Sequence, residues 1–302
     1  MAKIAYFGNI EMLGKAFVDR DYSEIREYVK ENKEKLGFYI EADGEVYGYE
    51  IRENIPLTKL YGFRVRIVDF AFSGVEKLYN AKEDEILDRL FSELAATIEN
   101  EKAYYTFRVP TQVMDVLIKF NVYFNTSFMC GGTVTYLTVK NAGEGRAEKT
   151  DVFAADAAYI EEHGKELLDI SAATFDVYQG QYHISPITSG KAGEIYKDWL
   201  ERSFGAEDEL LFVADYEGKP AGFCTLRETD TIVEAVLGGV SNKFRELGAY
   251  KNMIRTVVNY ATDKNKIFVI GTQFENLIVQ GTWTQFGLKP FNSFYNFHLD
   301  AR

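Results

Sequence analysis

Two cysteines, three histidines and the absence of a long apolar run set the first limits on this chain of 302 residues. Cys130 and Cys224 lie in opposite halves of the sequence, which argues against a disulfide framework or a cysteine metal site and predicts a reduced protein. No His, Cys or carboxylate cluster has metal-ligand spacing. No apolar run is long enough to span a membrane, and the start, MAKIAYFGNIEMLGKAF, lacks the layout of a signal peptide. We therefore expect a cytoplasmic protein with no metal and no membrane association.

Positive charge is outnumbered, with 34 Lys and Arg against 46 Asp and Glu. The formal net charge is -12 and the sequence pI is near 4.9, so the chain as a whole should repel nucleic acid. A hydrophobic content of 46% with 26% charged residues is typical of a globular protein. The length leaves room for two domains.

One segment reverses this acidic character. A strand pattern ending in LGGV, residues 237–240, leads into a turn and a helix with apolar residues at helical spacing up to Ala261. Residues 241–255 contain four cations and one carboxylate, a local charge of +3: Lys243, Arg245, Lys251 and Arg255 against Glu246. A helix N-terminus preceded by a glycine turn favours phosphate oxygens, so the segment predicts a small-anion site. An ordinary strand, turn and helix with a solvated basic face would show the same residues.

The turn resembles a known motif. Residues 245–250, RELGAY, resemble the R/Q-x-x-G-x-G/A acetyl-CoA loop of the GNAT acetyltransferases, with Tyr250 standing where a small residue is usual. Downstream, Asn276, Val279, Trp283 and Gly287-Leu288 resemble the family's N-x-x-A-x-x-x-Y-x-x-x-G-F ending, with Trp283 in place of the tyrosine. Together with SFYNFH at 293–298, this ending is most similar to the sugar-nucleotide amine acetyltransferases, of which TDP-fucosamine acetyltransferase is the best-known type.

The resemblance implies a set of acetyl-CoA contacts. The strand end would hold the pantetheine arm, the glycine turn the pyrophosphate, and the downstream motif the rest of the coenzyme. The implied coenzyme-binding residues are Leu237, Gly239, Val240, Arg245, Glu246, Leu247, Gly248, Ala249, Tyr250, Asn276 and Trp283. It also implies that the acceptor amine attacks the acetyl group directly, so that neither cysteine serves as a nucleophile, while a backbone N–H stabilises the developing oxyanion.

Three side chains are candidates for the base that takes the proton of the acceptor ammonium. Glu234 would lie on the strand beside the cleft, His298 on the final strand and His183 in an aromatic loop. Each also has a plain structural explanation: Glu234 as a solvent-facing residue, His298 as a core histidine and His183 as a hydrogen-bonding loop residue or acceptor contact.

The acid that protonates the leaving thiolate is harder to assign. Indole donates a hydrogen bond but does not titrate in water, so Trp283 does not replace a phenol; it packs on a ligand or fills the core. Tyr250 and Tyr295 are the remaining phenols near the inferred cleft. A reaction without an acid stays open, since proximity alone lowers much of the barrier.

An internal repeat organises the whole chain. FRVPTQ at 107–112 aligns with FVIGTQ at 268–273, an offset of 161 residues. Opposite the basic turn, residues 80–85 of the first copy read NAKEDE, and their carboxylates would repel a pyrophosphate. We therefore predict an α/β (α+β) protein of two GNAT-like domains, each a mixed, mostly antiparallel sheet flanked by helices. Residues 1–142 form the degenerate domain without a coenzyme loop, and residues 148–302 form the acetyltransferase domain, joined by a linker at 140–146.

Local patterns predict the elements. Two strands around Asp43-Gly44 are expected within 38–51, and 178–188 should be an ordered loop. The remaining predicted strands are 60–69, 104–109, 134–139, 210–215, 221–227, 231–240 and 267–271; the predicted helices are 83–98, 113–120, 156–173, 194–204 and 250–261.

The function expected from the resemblance is acetyl transfer from acetyl-CoA to a primary amine of a small molecule, with a nucleotide-linked amino sugar favoured. Two alternatives stay open: an acetyltransferase for a protein, peptide or polyamine, which the acidic charge would favour, and a non-catalytic CoA-binding member of the fold. The sequence leaves both a monomer and a homodimer open.

Overall fold

The computed structural model describes residues 8–75, 83–145, 149–176 and 180–302. They form two compact units: unit 1 comprises Met1–Thr133 with Asn292–Arg302, and unit 2 comprises Val134–Phe291. None of the helices in these described ranges has the length and apolar character needed to cross a membrane.

The helices, in chain order, are α1 Ile10–Asp19, α2 Ser23–Glu31, α3 Ile55–Tyr61, α4 Glu83–Asn100, α5 Met114–Tyr123, α6 Ala157–Asp176, α7 Gln181–Ile184, α8 Ala192–Ser203, α9 Ala249–Asp263 and α10 Leu277–Gln285. The strands are β1 Phe38–Ala42, β2 Glu45–Glu53, β3 Val65–Phe72, β4 Tyr104–Pro110, β5 Phe128–Thr138, β6 Asp151–Ala154, β7 Glu209–Tyr216, β8 Lys219–Glu228, β9 Ile232–Val240, β10 Ile267–Gln273 and β11 Lys289–Asp300.

Unit 1 is built on the strand order β1-β2-β3-β4-β11. β1, β2 and β3 pair antiparallel, β3 and β4 pair parallel, and β4 and β11 pair antiparallel. The predicted hairpin is confirmed: Asp43 (φ 51°) and Gly44 (φ 77°) both take the left-handed conformation that a two-residue turn between β1 and β2 requires. The predicted helix at 83–98 is also confirmed, since its apolar stripe is buried in the unit 1 core: Leu87, Leu90, Phe91, Leu94 and Ile98.

The predicted strand at 60–69 was wrong at its start. β3 begins at Val65, because residues 55–61 form α3 instead. Asn54 Oδ1 accepts a hydrogen bond from the Leu57 N–H, proline occupies the first turn, and Gly62 (φ 71°) ends the helix. These features cap both ends of α3, and they favour a helix up to Tyr61 over the strand that the alternating pattern at 60–69 predicted. The predicted loop at 178–188 contains the short helix α7. Residues 178 and 179 of this loop lie outside the described ranges, as do residues 80–82 of the acidic turn and residue 146 of the linker.

Unit 2 has the strand order β5-β10-β9-β8-β7-β6, with residues 134–138 of β5 at one edge. β6 to β9 pair antiparallel in turn, and β9 and β10 pair parallel. α6 and α8 cover one face of this sheet around Leu211, Val213 and Phe223, while α9 covers the other face. The fold class predicted from the sequence is therefore confirmed: mixed, mostly antiparallel pairing flanked by helices.

The two units repeat one strand plan. In each, three antiparallel strands (β1–β3 or β7–β9) are followed by a fourth that pairs parallel to the third, and this fourth strand carries the aligned FRVPTQ or FVIGTQ segment. The final strand of each plan is taken from the other half of the chain, because residues 134–138 of β5 belong to unit 2 and residues 292–300 of β11 belong to unit 1. The predicted domain bounds, 1–142 and 148–302, stay a prediction.

Unit 1 carries an ion cluster around a buried carboxylate at the end of its parallel pairing. The β3–β4 register ends at Asp69–Arg108, and the Asp69 carboxylate accepts hydrogen bonds from Arg108 Nε and Nη2 at 2.5 Å and from Arg52 Nη2 at 3.0 Å. Burial alone would raise the pKa of Asp69, but the Arg108 and Arg52 guanidiniums outweigh burial and hold it below its ordinary value. β4 and β10 align at the repeat offset of 161 residues, which matches Arg108 with Val269. Asp69 pairs with Arg108 as Glu234 pairs with Val269, so the two carboxylates hold equivalent positions in their units.

Replacing Asp69 by asparagine should lower the free energy of unfolding by about 2–4 kcal/mol at pH 7, because two arginines lose their buried counterion. Stabilisation by Asp69 is present above the pKa of the unfolded carboxyl, about 3.9, and is lost as pH falls through the lower folded pKa. The difference between wild type and Asp69→Asn, measured by urea unfolding, should therefore shrink below pH 4. Glu24→Gln, which breaks an exposed pair with Lys15, is the matched control. Equal stability of wild type and Asp69→Asn at pH 7 would contradict the prediction.

Candidate functional site

Two parallel strands of unit 2 part before they end, and we call the gap between their ends the cleft. The β9–β10 register runs from Ile232–Ile267 to Ala235–Ile270 and ends there, although β9 continues to Val240 and β10 to Gln273. The two carboxyl-terminal ends thus leave facing backbone edges that are not paired with each other. Ligands of sheets with parallel strands bind outside such ends, where backbone N–H and C=O groups are available.

The chain leaves this cleft through the predicted glycine turn. Ser241 Oγ accepts from the Lys243 N–H at 3.4 Å, and Asn242–Leu247 form a 3₁₀ turn. Gly248 (φ 75°) then reverses the backbone before α9, whose first hydrogen bond joins Asn252 N to Gly248 O at 3.0 Å. The amides just before that bond point out of the helix end, and Gly248 has no side chain to cap them. The turn therefore presents backbone donors and the positive end of a helix dipole.

The basic side chains around the turn have different environments. Lys251 Nζ donates to Gln285 Oε1 at 3.1 Å, and the Arg255 guanidinium lies 5.4 Å from the centre of the Phe286 ring. Lys243 and Glu246 are exposed, and Arg245 lies in the 3₁₀ turn, its side chain being outside the described part. Lys251, in the first turn of α9, thus contacts α10, and Arg255, one turn later, lies against Phe286.

The predicted wall of the cleft is formed by the end of β9. Leu237 and Val240 are buried, and their carbonyls accept from Thr225 Oγ1 and Thr174 Oγ1, each at 3.5 Å. A Cβ on Gly239 would lie 3.2 Å from Thr174 Cγ2. Thr174, in the last turn of α6, was not singled out from the sequence, because only the tertiary packing brings α6 against this strand.

Glu234 lies at the base of the cleft. It pairs with Val269 one residue before β9 and β10 part, and its side chain is 29% exposed. Arg227 Nη1 lies 4.0 Å from Glu234 Oε2, and Arg227 Nη2 donates to Glu209 Oε1 at 2.8 Å. The register of β7, β8 and β9 aligns these three charges on one face of the sheet. Sequence spacing did not reveal Arg227, since the contact depends on antiparallel pairing.

The downstream motif forms the other side of the site. Asn276 occupies the N-cap position of α10, and its side chain turns to Thr272 instead, with Nδ2 donating to Thr272 Oγ1 at 3.1 Å. Trp283 is only 1% exposed, and its Nε1 donates to Tyr250 Oη at 2.9 Å. Its ring meets Tyr136 edge to face, at 5.4 Å between centroids. Trp283 therefore packs in the unit 2 core and contacts Tyr250 of the predicted coenzyme turn.

The remaining predicted catalytic residues belong to unit 1. His298 has no exposed surface; its Nδ1 lies 2.7 Å from Tyr104 Oη, and burial lowers its pKa to about 3. Tyr295 is half-buried on the same strand and packs against the unit 1 core. The environment of His298 favours a structural role, and its catalytic role stays a prediction. His183 is half-buried in α7 of unit 2.

Comparison with known proteins gives one family match and several solved structures of similar fold. Residues 171–288 match the model of the "Acetyltransferase (GNAT) family". No curated protein shows a significant match.

Solved structures share the fold over nearly the whole chain. A GCN5-related N-acetyltransferase from Sphaerobacter thermophilus has a TM-score of 0.57 at 9% identity, covering 99% of this chain and 96% of that one. A conserved protein of unknown function from Staphylococcus epidermidis has a TM-score of 0.54 at 13% identity, covering 88% and 95%. A GCN5-related N-acetyltransferase from Kribbella flavida has a TM-score of 0.50 at 9% identity, covering 92% and 95%.

The matched segment begins in α6 and runs through β9, the glycine turn and α10, so it contains the cleft of unit 2. Over residues 171–288 the chain is therefore similar to the GNAT acetyltransferase family.

Proposed function

We propose that this chain is an acetyl-CoA-dependent N-acetyltransferase that moves the acetyl group directly to a primary amine. The observation that carries the proposal is the parting of β9 and β10 at Ala235–Ile270, followed directly by the Gly248 turn and α9. Unpaired strand edges suit an extended amide-containing arm, and a glycine-flanked helix N-terminus suits a pyrophosphate.

The residues present fit acetyl-CoA as the co-substrate. We assign the pyrophosphate to the backbone of residues 245–250, the pantetheine arm to Leu237, Gly239 and Val240, and a further polar contact to Asn276. When bound, acetyl-CoA supplies an activated acetyl thioester. Backbone N–H groups at the end of β9 orient its carbonyl and stabilise the charge that develops on the oxygen.

Glu234 is the proposed base for the acceptor. It lies at the base of the cleft, and its carboxylate has the charge needed to attract an ammonium and take its proton. Arg227, on the neighbouring strand, faces that carboxylate at 4.0 Å.

For the acceptor we propose a nucleotide-linked amino sugar. The support is the resemblance of the segment from Thr272 to His298 to the sugar-nucleotide amine acetyltransferases. A polyamine or peptide amine is the competing acceptor, because the net charge of -12 attracts cations.

The test has two stages. Calorimetric titration of acetyl-CoA into the protein should show micromolar binding, and release of the CoA thiol should then be followed with a panel of amines: a TDP-amino sugar, the same sugar without its nucleotide, spermidine and a lysine peptide. We expect turnover on the TDP-amino sugar at least 100-fold above the peptide in kcat/KM, a difference of about 2.7 kcal/mol.

Other outcomes of the titration and the amine panel would change the proposed acceptor or the proposed function. Preference for spermidine or the peptide would replace the acceptor and keep the transferase. Binding without turnover on any amine would favour a non-catalytic CoA-binding member of the fold. Absence of acetyl-CoA binding would overturn the proposed function.

A further inference from the structure

A tryptophan and a tyrosine on different helices share one hydrogen bond in unit 2. Trp283 Nε1, on α10, donates to Tyr250 Oη, in the first turn of α9, at 2.9 Å. The indole nitrogen is a donor only, so the phenol oxygen is the acceptor in this bond. The hydroxyl proton of Tyr250 is therefore directed away from Trp283.

The packing fixes where the phenol lies. Trp283 is 1% exposed and meets the Tyr136 ring edge to face, so the indole is a rigid support. Tyr250 is half-buried against the same core and follows the turn that leaves the cleft, two residues after Gly248. The half-buried phenol thus has a fixed position beside the segment assigned to the coenzyme.

We propose that Tyr250 is the proton donor to the leaving thiolate and that Trp283 is the residue that positions its phenol. This inference rests on the proposed acetyltransferase function and names a residue for a step which that function leaves open. Trp283 itself has no titrating group, so α9 supplies the phenol and α10 supplies the hydrogen bond that orients it.

The proton balance of the step is complete. The acceptor nitrogen forms a bond to the acetyl carbon as the carbon–sulfur bond breaks, and the bonding pair leaves on sulfur. Tyr250 Oη gives its proton to that sulfur and becomes a phenolate. The acceptor, bound as an ammonium, loses one proton to Glu234 before it attacks and a second to water as the amide forms. Solvent returns one proton to Tyr250, so the reaction releases one proton overall and consumes no other reactant.

Trp283 favours this transfer electrostatically. A hydrogen bond from the indole N–H to a phenolate is stronger than one to a neutral phenol, because the acceptor carries a full charge. The bond therefore stabilises the form that Tyr250 takes after donating its proton. Loss of the indole N–H should make the phenol a weaker acid without removing it.

The decisive variant is Tyr250→Phe, which removes one oxygen atom. We expect kcat to fall about 100-fold or more, within the range for a lost general acid, while the Kd for acetyl-CoA changes less than threefold. The double variant Tyr250→Phe, Trp283→Tyr should have a kcat at least tenfold higher than Tyr250→Phe alone, because α10 then supplies a phenol. Tyr260→Phe, on the same helix but bonded to Glu228, is the matched control and should retain wild-type kcat.

A second readout does not depend on turnover. With ¹³C at the phenol carbon of tyrosine, NMR titration of the free protein should give Tyr250, assigned from its loss in Tyr250→Phe, a higher pKa in Trp283→Phe than in wild type. The alkaline limb of the kcat profile should move to higher pH in the same variant. Melting temperature, measured for each variant, identifies any that fails to fold.

The outcomes separate the two proposals. Wild-type turnover with an unchanged kcat in Tyr250→Phe overturns this inference and leaves the acetyltransferase intact. An unchanged phenol pKa in Trp283→Phe overturns the positioning role of Trp283. Lack of acetyl-CoA binding by the wild type overturns the proposed function and, with it, the step assigned to Tyr250.

Discussion

Replacing Gly248 by aspartate is expected to weaken acetyl-CoA binding by at least 100-fold. Gly248 has φ 75° and precedes the first turn of α9, so the new carboxylate would lie at the amides assigned to the pyrophosphate. Two charges at about 5 Å with an effective dielectric constant near 20 repel by about 3 kcal/mol, which corresponds to roughly a hundredfold change in Kd. Calorimetric titration of acetyl-CoA measures the change.

Gly248→Asn separates charge from shape in this experiment. Asparagine has nearly the size of aspartate, tolerates the left-handed conformation about as well and carries no charge. It should therefore weaken binding less than Gly248→Asp by at least tenfold. Gly218→Asp makes the same change of charge in the β7–β8 turn (φ 78°), where a new Cβ meets nothing within 4 Å, and should leave Kd unchanged.

Equal Kd values for wild type and Gly248→Asp would remove the glycine turn from the coenzyme site. Equal losses in the aspartate and asparagine variants would instead show that close backbone approach, rather than charge, makes Gly248 necessary. The melting temperatures of both variants should stay near that of wild type, because aspartate and asparagine are good residues at a helix N-terminus.

The stability of unit 1 is expected to fall in mild acid because of His298. Its ring is fully buried and burial lowers its pKa to about 3, whereas the unfolded chain takes up a proton near pH 6.5. The neutral ring therefore contributes stability that is complete above pH 6.5 and is lost as pH falls toward 3. Urea unfolding of wild type and His298→Asn should show that the wild-type advantage decreases by about 3 kcal/mol between pH 7 and pH 4.

The asparagine amide can still hydrogen-bond Tyr104 Oη but does not titrate, so the pH dependence isolates the imidazole. Phe297→Leu on the same strand changes core packing without a titrating group, and its effect on stability should be the same at both pH values. A wild-type advantage that does not vary with pH would contradict the prediction. Turnover of His298→Asn at pH 7, where the variant should be folded, tests the catalytic role predicted from the sequence.

Several parts of the fold follow from local chemistry. The Asp43-Gly44 turn, the apolar stripe of α4 and the strand-turn-helix around Gly248 each depend on residues close in sequence, and the structure has all three. α3 was missed because its start depends on a capping side chain and a proline that the strand pattern obscured. The exchange of β5 and β11 was also missed, because each copy of the repeat predicts its own final strand equally well.

The candidate site divides in the same way. The sequence by itself determined the glycine turn, the acetyl-CoA resemblance and the substitution of tryptophan at 283, because these are matters of residue type and spacing. Tertiary structure alone decided that Arg227 pairs with Glu234, that Trp283 donates to Tyr250 and that His298 is buried in unit 1. The physical reason is that strand register and helix packing join residues far apart in the chain, and the free energy of those contacts depends on burial and geometry, which spacing does not contain.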